Sequence, residues 1–296
     1  MIPSDWLHAF ACFAEDANLS RAAKRLHLSQ PAVHAQLRKL ADLLGVSLYQ
    51  RAGRGLVLTK EGVEVAAFAR DAEERAQELC TRLGGADEAG PRIVLAAGAG
   101  ALLHVLGEGM RAFSRAYEGR LEILTADTTA ATDAVLRGAA HVGVIALAAG
   151  ASPGSEVSAH RITEVGQLVV VPRVHRLARR RRLGLADLDG ERLVLPPEGR
   201  PQRTALDAAL AAKGVAVTAG ALATGWELTL RLVELGAGIA VVNAAVRIPR
   251  GLVARPLSEL PRIRYLAVTR RRPRADVTRF VDALVAHGDA WKTKGK

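Results

Sequence analysis

The side chains best suited to recognise another molecule lie within the first 60 positions, where an amide, an imidazole and several cations follow one another. Gln30 and His34 are four residues apart and would share one face of a helix. A glutamine amide can form two hydrogen bonds to the edge of adenine, and an imidazole can bond to guanine. Lys39 and Arg51 carry the charge that attracts phosphate oxygens. These residue types predict contact with a nucleic acid.

Short helices must position these side chains. Apolar residues recur with helical spacing from Leu7 to Ala14, and Ser20 is predicted to cap a second helix that runs from Arg21 to His27. Ser29 is predicted to cap a third helix, with Pro31 in its first turn. Two helices joined by a tight turn form the motif that inserts its second helix into the major groove of DNA.

A predicted hairpin and a long helix follow. Strands 48–51 and 56–59 flank a glycine-containing turn with Arg54 at its tip, and they would form a wing beside the helices. Thr59 is predicted to cap a helix of roughly 36 Å. The apolar positions of this helix are Val65, Phe68, Ala72, Ala76, Leu79 and Leu83. A second copy of the chain is the expected cover for this seam, with packing on its own domain as the alternative. Segment 84–91 is predicted to be a hinge.

Residues 19 to 62, LSRAAKRLHLSQPAVHAQLRKLADLLGVSLYQRAGRGLVLTKEG, resemble the N-terminal signature of LysR-type transcriptional regulators. The alanine pair, the Ser-Gln-Pro-Ala start of the third helix, the Leu-Gly-Val at its end and the Leu-Thr-x-x-Gly exit all match without gaps. His34 and Ala35 depart from the pattern, since the family often has serine and arginine there. The resemblance implies that positions 30, 31 and 34 point at bases.

The resemblance also implies the partner and the assembly. Double-stranded DNA with a dyad-symmetric operator would be read by a homodimer, and two dimers would form a homotetramer. RNA polymerase is a further candidate partner. The residues expected at the DNA interface are Ser20, Arg21, Ser29, Gln30, Pro31, His34, Ala35, Arg38, Lys39, Arg51 and Arg54.

From position 92 the pattern changes to strands that alternate with helices. The predicted strands are 93–97, 121–125, 142–146, 167–171, 192–195, 239–242 and 264–269, and the predicted helices are 102–117, 129–138, 202–213, 227–235 and 277–287. This order favours a mostly parallel sheet. The last strand and helix are expected to return to the first lobe, which gives two lobes with crossovers near 163 and 263 and a cleft between them.

The predicted fold class is α/β, with an N-terminal all-α winged helix-turn-helix, a long linker helix and a C-terminal two-lobed sensor domain like the periplasmic binding proteins. The predicted boundaries are 1–60 for the DNA-binding domain, 61–90 for the linker and hinge, and 91–296 for the effector-binding domain. Within that domain, lobe 1 is predicted to comprise 91–162 and 264–296, and lobe 2 to comprise 163–263.

The sensor half is similar to that of the same family, although Asn243 stands where the family usually has a proline. The resemblance implies a small-molecule effector in the inter-lobe cleft. The residues expected to line the cleft are Gly98, Ala99, Gly100, Ala101, Thr128, Thr129, Pro197, Gln202, Thr224, Gly225 and Trp226. The family often has serine or threonine in the first loop, where this chain has only glycine and alanine. With Trp226 nearby, an aromatic or acyl acid is the expected effector.

Charge and motifs bound the other possibilities. The net charge of +11 and the pI near 10.4 favour a polyanionic partner, although an arginine-rich genome has the same effect. No secretory or membrane-spanning segment is predicted, so a cytoplasmic location is expected. The chain has no nucleophile-elbow, zinc-protease, Cys-x-x-Cys or P-loop motif, and no catalytic residue, cofactor or metal is predicted. His104 is interpreted as structural, and the arginine runs 179–182 and 270–272 as solvated turns.

Two other classes of function compete. Gly98-Ala99-Gly100 follows a strand, and Asp127 ends the next, as in nucleotide-dependent enzymes. Leu103 stands at the third glycine position of that fingerprint, so the match fails. A thiol-based redox regulator would need Cys12 or Cys80, each of which is interpreted as a small apolar side chain.

Overall fold

The computed structural model describes residues 2–53, 55–84, 92–148, 150–198 and 200–293. Its N-terminal elements are helices α1 (Ser4–Ala14), α2 (Leu19–Leu26) and α3 (Gln30–Leu44), strands β1 (Tyr49–Ala52) and β2 (Gly55–Leu58), and helix α4 (Lys60–Gly84). The two strands pair antiparallel, with Ala52 opposite Gly55. The predicted winged helix-turn-helix is confirmed. Arg54, at the tip of the wing, lies outside the described residues.

Helix α2 begins two residues before its predicted start because a different side chain caps it. The side-chain oxygen of Asn18 accepts a hydrogen bond from the N–H of Arg21 at 3.0 Å. The prediction that Ser20 is the cap was therefore wrong, and Ser20 lies inside the first turn. Ala22 and Ala23 are buried, and small side chains at these positions let α2 pack closely against its neighbours.

Helix α3 has the capping groups that the sequence predicts. The hydroxyl of Ser29 accepts a hydrogen bond from the N–H of Ala32 at 3.3 Å, and Pro31 lies in the first turn, where no N–H is required. Gly45 ends the helix with a φ of 68°, which glycine adopts without strain.

The core of the N-terminal domain joins α1, α3 and α4. Phe10 and Phe13 of α1 and Leu37 of α3 are fully buried. Burial of a side chain of this size contributes roughly 1.5–3 kcal/mol. Ala66 and Ala69 of α4 are buried in the same cluster. The first turns of α4 therefore belong to the N-terminal core.

The predicted seam of α4 is divided by this packing. Val65 packs against the N-terminal core, whereas the side chain of Phe68 is 55% exposed. Ala72 is half-buried. The side chains of Leu79 and Leu83 lie outside the described part of the structure. The exposed portion of the seam thus begins at Phe68.

A close contact fixes the point where α4 begins. The hydroxyl of Thr59 donates to the carbonyl of Ser47 at 2.6 Å and accepts from the N–H of Gly62 at 2.9 Å. A Cβ atom at Gly62 would lie 1.9 Å from the carbonyl oxygen of Leu48. This approach is open only to a residue without a side chain, so Gly62 sets the packing of α4 against the base of the wing.

The C-terminal part alternates strands with helices. Its elements are β3 (Arg92–Ala97), α5 (Ala99–His104), α6 (Gly107–Ser114), β4 (Arg120–Thr125), α7 (Thr128–Leu136), β5 (Val142–Ala148), β6 (Ser158–Val165), β7 (Gln167–Pro172), β8 (Arg192–Leu195), α8 (Pro201–Ala212), β9 (Thr218–Leu222), α9 (Trp226–Glu234), β10 (Ala240–Asn243), β11 (Leu252–Leu257), β12 (Ile263–Thr269) and α10 (Ala275–Ala286). No helix in the described ranges is long and apolar enough to cross a membrane.

Lobe 1 is built on a five-stranded sheet with the order β4-β3-β5-β12-β6. Strands β4, β3 and β5 are parallel, and β12 is antiparallel to both of its neighbours. One face carries α5, α6 and α10, where Phe113 and Phe280 stack with ring centroids 4.8 Å apart. The other face carries α7 through Ala131 and Val135.

Lobe 2 is built on the three-stranded sheet β10-β7-β11 and the two-stranded sheet β8-β9. Hydrogen bonds of 2.8 Å from Val194 to Ile239 and from Ile239 to Arg192 join the two sheets edge to edge. Helix α8 packs on one face through Leu206, and α9 packs on the other through Leu230. The chain therefore passes from lobe 1 to lobe 2 after β6 and returns before β12.

The sequence did not indicate three strands, β6, β9 and β11. Each lies at the edge of its sheet. An edge strand needs only one pairing partner and tolerates small, polar or imino residues, such as Pro256 in β11. The predicted helix 102–117 was also wrong in extent: it is two helices, α5 and α6, separated by the buried Val105 and Leu106.

We expect Gly62→Ala to destabilise the N-terminal domain, because the added methyl would overlap the carbonyl of Leu48. Overpacking of this kind costs about 1–3 kcal/mol of unfolding free energy, measurable by urea denaturation followed by circular dichroism. Gly55→Ala is the matched control, since a Cβ there would lie 3.8 Å from its nearest neighbour, the carbonyl of Ala52. Equal stability of the two variants would contradict the assigned role of Gly62.

Candidate nucleic-acid interface and inter-lobe cleft

One face of α3 is exposed to solvent, opposite the buried side chains of Val33 and Leu37. The predicted DNA contacts on this exposed face are Gln30, Pro31, His34, Ala35, Arg38 and Lys39. Ser20, Arg21, Ser29 and Arg51 are exposed as well. Every described residue of the predicted set is therefore accessible to a partner.

Ser20 connects the two helices of the motif. Its hydroxyl donates a hydrogen bond to Oε1 of Gln30 at 3.1 Å. This bond orients the carboxamide of Gln30 and leaves its nitrogen available to donate outward. The sequence predicted Ser20 as the cap of the second helix and as a DNA contact. The structure shows that its hydroxyl positions the amide of Gln30.

Some of the predicted cations have partners within the chain. A guanidinium nitrogen of Arg21 lies 3.0 Å from Asp16, and Nζ of Lys39 lies 5.9 Å from the ring centroid of Trp6. Exposed contacts of these kinds are worth about 0–1 kcal/mol, so a phosphate can compete for either side chain. Arg51 on β1 has no ion pair or hydrogen bond from its side chain to the described residues.

The residues expected to line the cleft lie at or just before the starts of four helices. Gly98 precedes α5, and Ala99, Gly100 and Ala101 form its first turn; Thr128 and Thr129 begin α7; Pro197 precedes α8, and Gln202 is its second residue; Thr224 and Gly225 precede α9, and Trp226 begins it. Helices α5 and α7 belong to lobe 1, whereas α8 and α9 belong to lobe 2. The first turn of a helix presents free N–H groups, which attract polar and anionic groups.

Two polar pairs link α5 and the residue before α7 in lobe 1 to α9 and the residue before α8 in lobe 2. Arg200, just before α8, lies 3.6 Å from Asp127, just before α7. Nε2 of His104 in α5 is hydrogen-bonded to Glu227 in α9 at 2.6 Å. The interpretation of His104 as structural did not identify its partner, which comes from the other lobe. No local pattern indicates this pairing, which spans 123 positions of the chain.

Trp226 of lobe 2 reaches the first loop of lobe 1. Gly225, with a φ of 91°, turns the chain at the start of α9, where Trp226 is the first residue. A Cβ atom at Gly100 would lie 2.9 Å from Cδ1 and 3.1 Å from Nε1 of the indole. The second glycine of Gly98-Ala99-Gly100 thus accommodates an aromatic ring of the same chain, which weighs against a phosphate cradle at this loop.

The hydroxyl of Thr128 is engaged within lobe 1. It donates to the carbonyl of Ala146 at 3.3 Å and accepts from the N–H of the same residue at 3.2 Å. These bonds attach the start of α7 to the end of β5. Thr129 is exposed and has no hydrogen bond from its hydroxyl to the described residues. Of the two threonines, Thr129 is therefore the one able to offer a hydroxyl to a ligand.

A buried polar contact lies where the chain crosses between the lobes. Nδ2 of Asn243, at the end of β10, donates to the hydroxyl of Tyr265 in β12 at 2.6 Å. Burial raises the pKa of Tyr265 to about 12, so the phenol stays protonated at physiological pH. Oδ1 of Asn243 is buried without a hydrogen-bond partner among the described residues. The proline that the family usually has at this position could not make this inter-lobe bond.

Arg270 connects lobe 1 to the N-terminal domain. Its guanidinium donates to the carbonyl of Ala67 in α4 at 2.7 Å and pairs with the carboxylate of Asp71. The interpretation of Arg270 as a solvated residue was wrong, since its side chain is only 20% exposed. A cavity of about 1020 Å³ adjoins the contact, lined by the wing, α4 and lobe 1. Arg270 is therefore one polar link between the N-terminal domain and lobe 1.

The cysteines offer no metal site. Cys12 is a half-buried free thiol whose pKa is raised by burial, and the side chain of Cys80 lies outside the described part of the chain. Within the described ranges, no group of three or more His, Cys, Asp or Glu side chains could hold a metal ion.

Comparison with known families identifies the two parts of the chain. The family model for the bacterial regulatory helix-turn-helix protein of the lysR family matches residues 4–63, and the model for the LysR substrate binding domain matches residues 86–289. The chain belongs to the LysR family. It is a transcriptional regulator with a DNA-binding helix-turn-helix and an effector-binding domain.

Two curated relatives of this LysR-type regulator extend over most of its length. It is 30% identical over 249 residues to the RuBisCO operon transcriptional regulator of Allochromatium vinosum, a match that covers 80% of this chain and 78% of the relative. It is 32% identical over 248 residues to the regulator TfdS of Cupriavidus pinatubonensis, a match that covers 81% and 82%.

Solved structures share the fold of this LysR-type regulator. A full-length OxyR variant from Pseudomonas aeruginosa superimposes with a TM-score of 0.68 at 22% identity, covering 96% of this chain and 98% of that one. Full-length CbnR in complex with its target DNA superimposes with a TM-score of 0.55 at 23% identity, covering 97% and 99%.

We expect Arg270→Met to release α4 from lobe 1. Loss of its charge-assisted hydrogen bonds removes about 1.5–3 kcal/mol, so amides near Ala67 should exchange with deuterium at least tenfold faster in hydrogen-exchange mass spectrometry. Arg271→Met is the matched control, because Arg271 donates within lobe 1, to the carbonyl of Ser155 at 2.9 Å. Unchanged protection of α4 in Arg270→Met would show that the contact does not hold the helix.

We expect the thiol of Cys12 to react slowly with iodoacetamide at pH 8. A raised pKa leaves less thiolate than a free cysteine has at that pH, and the thiolate is the nucleophile. Peptide-level mass spectrometry would follow the labelling, with the urea-unfolded chain as the reference for full reactivity. A rate equal to that of the unfolded chain would instead favour a thiol-based regulator.

Proposed function

We propose that this LysR-type regulator reads the major groove of DNA with the exposed face of α3 and that a small molecule bound between its lobes alters that binding. The hydrogen bond between Ser20 and Gln30 carries the proposal, because it presents an oriented amide on an exposed helix of a helix-turn-helix. Orientation of the amide lowers the entropic cost of its pairing with a base. The structural relative CbnR, which was solved with its target DNA, has the same fold.

The exposed side chains divide into two roles in this proposal. Gln30 and His34 contact base edges, with Pro31 and Ala35 beside them. The phosphate contacts are Arg21, Ser29, Arg38, Lys39, Arg51 and Arg54, while Ser20 orients Gln30 through its hydroxyl. The net charge of +11 supports binding to a polyanion that weakens steeply with salt, because each neutralised phosphate releases a counterion.

A second copy of the chain is proposed to cover the outer face of α4. Phe68 is 55% exposed there, although the preceding turn packs its apolar side chains into the N-terminal core. A long helix whose apolar seam stays partly uncovered, here at Phe68 and Ala76, is typical of a helix-pairing interface. A homodimer would present two α3 helices related by a two-fold axis, and two dimers would form a homotetramer.

The effector is proposed to act through the equilibrium between lobe arrangements. A ligand shifts such an equilibrium only by its difference in affinity for the two states, and no catalysed reaction is required. The domain division that suits this action is DNA binding by 1–60, dimerisation by 61–90 and sensing by 91–296. The proposed site of action is the cytoplasm, where DNA and RNA polymerase are present; contact with the polymerase stays a prediction.

Fluorescence anisotropy with labelled promoter fragments from beside the protein's own gene tests DNA reading. We expect selective binding over random DNA, with an affinity that falls as salt rises. The double variant Gln30→Ala, His34→Ala should lose that selectivity by at least about 30-fold, since it removes two base contacts of about 1–3 kcal/mol each, while size-exclusion chromatography shows the same dimer.

Asp42→Ala is the matched control for this experiment. Asp42 is exposed on the same helix, and its carboxylate lies 4.0 Å from the guanidinium of Arg38. Its removal should leave the ratio of specific to random affinity unchanged. Full selectivity of the Gln30 and His34 double variant would remove α3 from the reading surface.

A further inference from the structure

We infer that Trp226 closes the cleft on Gly100 in the ligand-free protein and that the effector is a small molecule with a flat aromatic face, which takes the place of Gly100 against the indole. This inference rests on the proposed effector cleft and deepens it by naming the chemistry that the cleft selects. The fold alone does not require an aromatic effector, because the lobes and the helix starts would be the same with another residue at position 226.

The position of the indole is set from both sides. Gly225 turns the chain at the start of α9 with a backbone conformation that favours glycine, at a φ of 91°. The ring is half-buried and packs partly on the core cluster of lobe 2. Its pyrrole edge meets lobe 1 at Gly100, where a Cβ would lie 2.9 Å from Cδ1. The contact therefore depends on the absence of a side chain at position 100.

The other contacts near the indole hold the lobes together weakly. Glu227, the partner of His104, has a side chain that is 51% exposed, and Asp127, the partner of Arg200, is 61% exposed. Water and salt screen such pairs. The indole on Gly100 is thus an apolar contact between the lobes beside these screened pairs, and a ligand that offers the indole a better surface can replace it.

The loop that faces the indole selects by shape. Residues 98–101 are glycine and alanine, which provide no polar side chain, and the hydroxyl of Thr128 is occupied by Ala146. A flat ring can contact the indole on one side and the glycine main chain on the other with the smallest separation of the lobes. A saturated ring of the same size is thicker and needs a wider opening.

The closed contact is tested in the protein without any ligand. Incorporation of 5-fluorotryptophan gives one ¹⁹F resonance for each of the three tryptophans, and Trp226→Phe identifies the signal of Trp226. We expect Gly100→Ala to move that resonance towards the position of an exposed indole and to leave the other two in place. Gly98→Ala is the matched control, because a Cβ there would lie 3.7 Å from its nearest neighbour, the carbonyl of Ala126. An unmoved Trp226 resonance in Gly100→Ala would overturn the closed contact.

The ligand class is tested with small aromatic compounds, charged and neutral, each paired with its ring-saturated counterpart. We expect the aromatic compounds to shift the Trp226 resonance and to raise the melting temperature. They should do so at concentrations at least tenfold lower than their ring-saturated counterparts require. Trp226→Leu should remove this preference. Three outcomes would each overturn the assignment. They are an equal response to both classes, a preference that is retained in Trp226→Leu, and no response to any aromatic compound at millimolar concentration.

Promoter binding by the wild-type chain without ligand separates this inference from the proposed function. The wild-type chain should bind promoter DNA selectively whatever the outcome of the indole test, because the exposed face of α3 lies outside the cleft. Selective DNA binding together with a failed indole test would refute the role of Trp226 and keep the regulator. Loss of selective binding in the wild-type chain would refute the proposed function instead.

Discussion

Helix α4 packs on two bodies at once, and the geometry of the molecule depends on that double contact. Its first turns complete the N-terminal core through Ala66 and Ala69, and the approach at Gly62 leaves no room for a side chain. The same stretch of helix accepts a hydrogen bond from Arg270 of lobe 1 at the carbonyl of Ala67. Because a packed helix moves as a rigid unit, a displacement of lobe 1 relative to α4 is also a displacement relative to α3.

Helix α7 gives this contact a physical relation to the cleft. Its start is attached to β5 through Thr128, and its end leads into Gly138. A Cβ atom at Gly138 would lie 3.1 Å from the side chain of Arg70 in α4. Burial lowers the pKa of Arg70 while nearby carboxylates oppose the shift. One helix of lobe 1 therefore touches the cleft at one end and the linker helix at the other, which is the arrangement that a change in lobe geometry needs in order to reach the reading helix.

The two proposed sites differ in how they would obtain specificity. The surface of α3 offers directed hydrogen-bonding groups, with Gln30 already oriented by Ser20. The mouth of the cleft offers an indole and main chain, since residues 98–101 lack polar side chains. Hydrogen bonds discriminate by donor and acceptor pattern, whereas an apolar slot discriminates by thickness and shape. Asn243 and Tyr265 add a buried polar contact that links the two lobes at the crossover.

The sequence determined those features whose causes lie within a few residues. Ser29, Pro31 and Gly45 specify the bounds of α3, and the spacing of Val33 and Leu37 specifies its buried face, because capping and amphipathic periodicity are local. The alternation of strands and helices likewise predicted the α/β sensor, with three of its edge strands, β6, β9 and β11, left out. An edge strand has half of its hydrogen bonds unpaired, and it needs no apolar alternation to be stable.

Only the tertiary structure decided which distant residues meet. Trp226 on Gly100, His104 with Glu227 and Arg270 with α4 join positions more than 100 residues apart, and no local pattern records such pairings. Each of these residues has an ordinary interpretation when read alone, as an apolar side chain, a structural histidine or a solvated arginine. The first two pairings depend on where the two crossovers place one lobe against the other, and the third depends on how lobe 1 lies against α4. Both placements result from the packing of whole units of the fold.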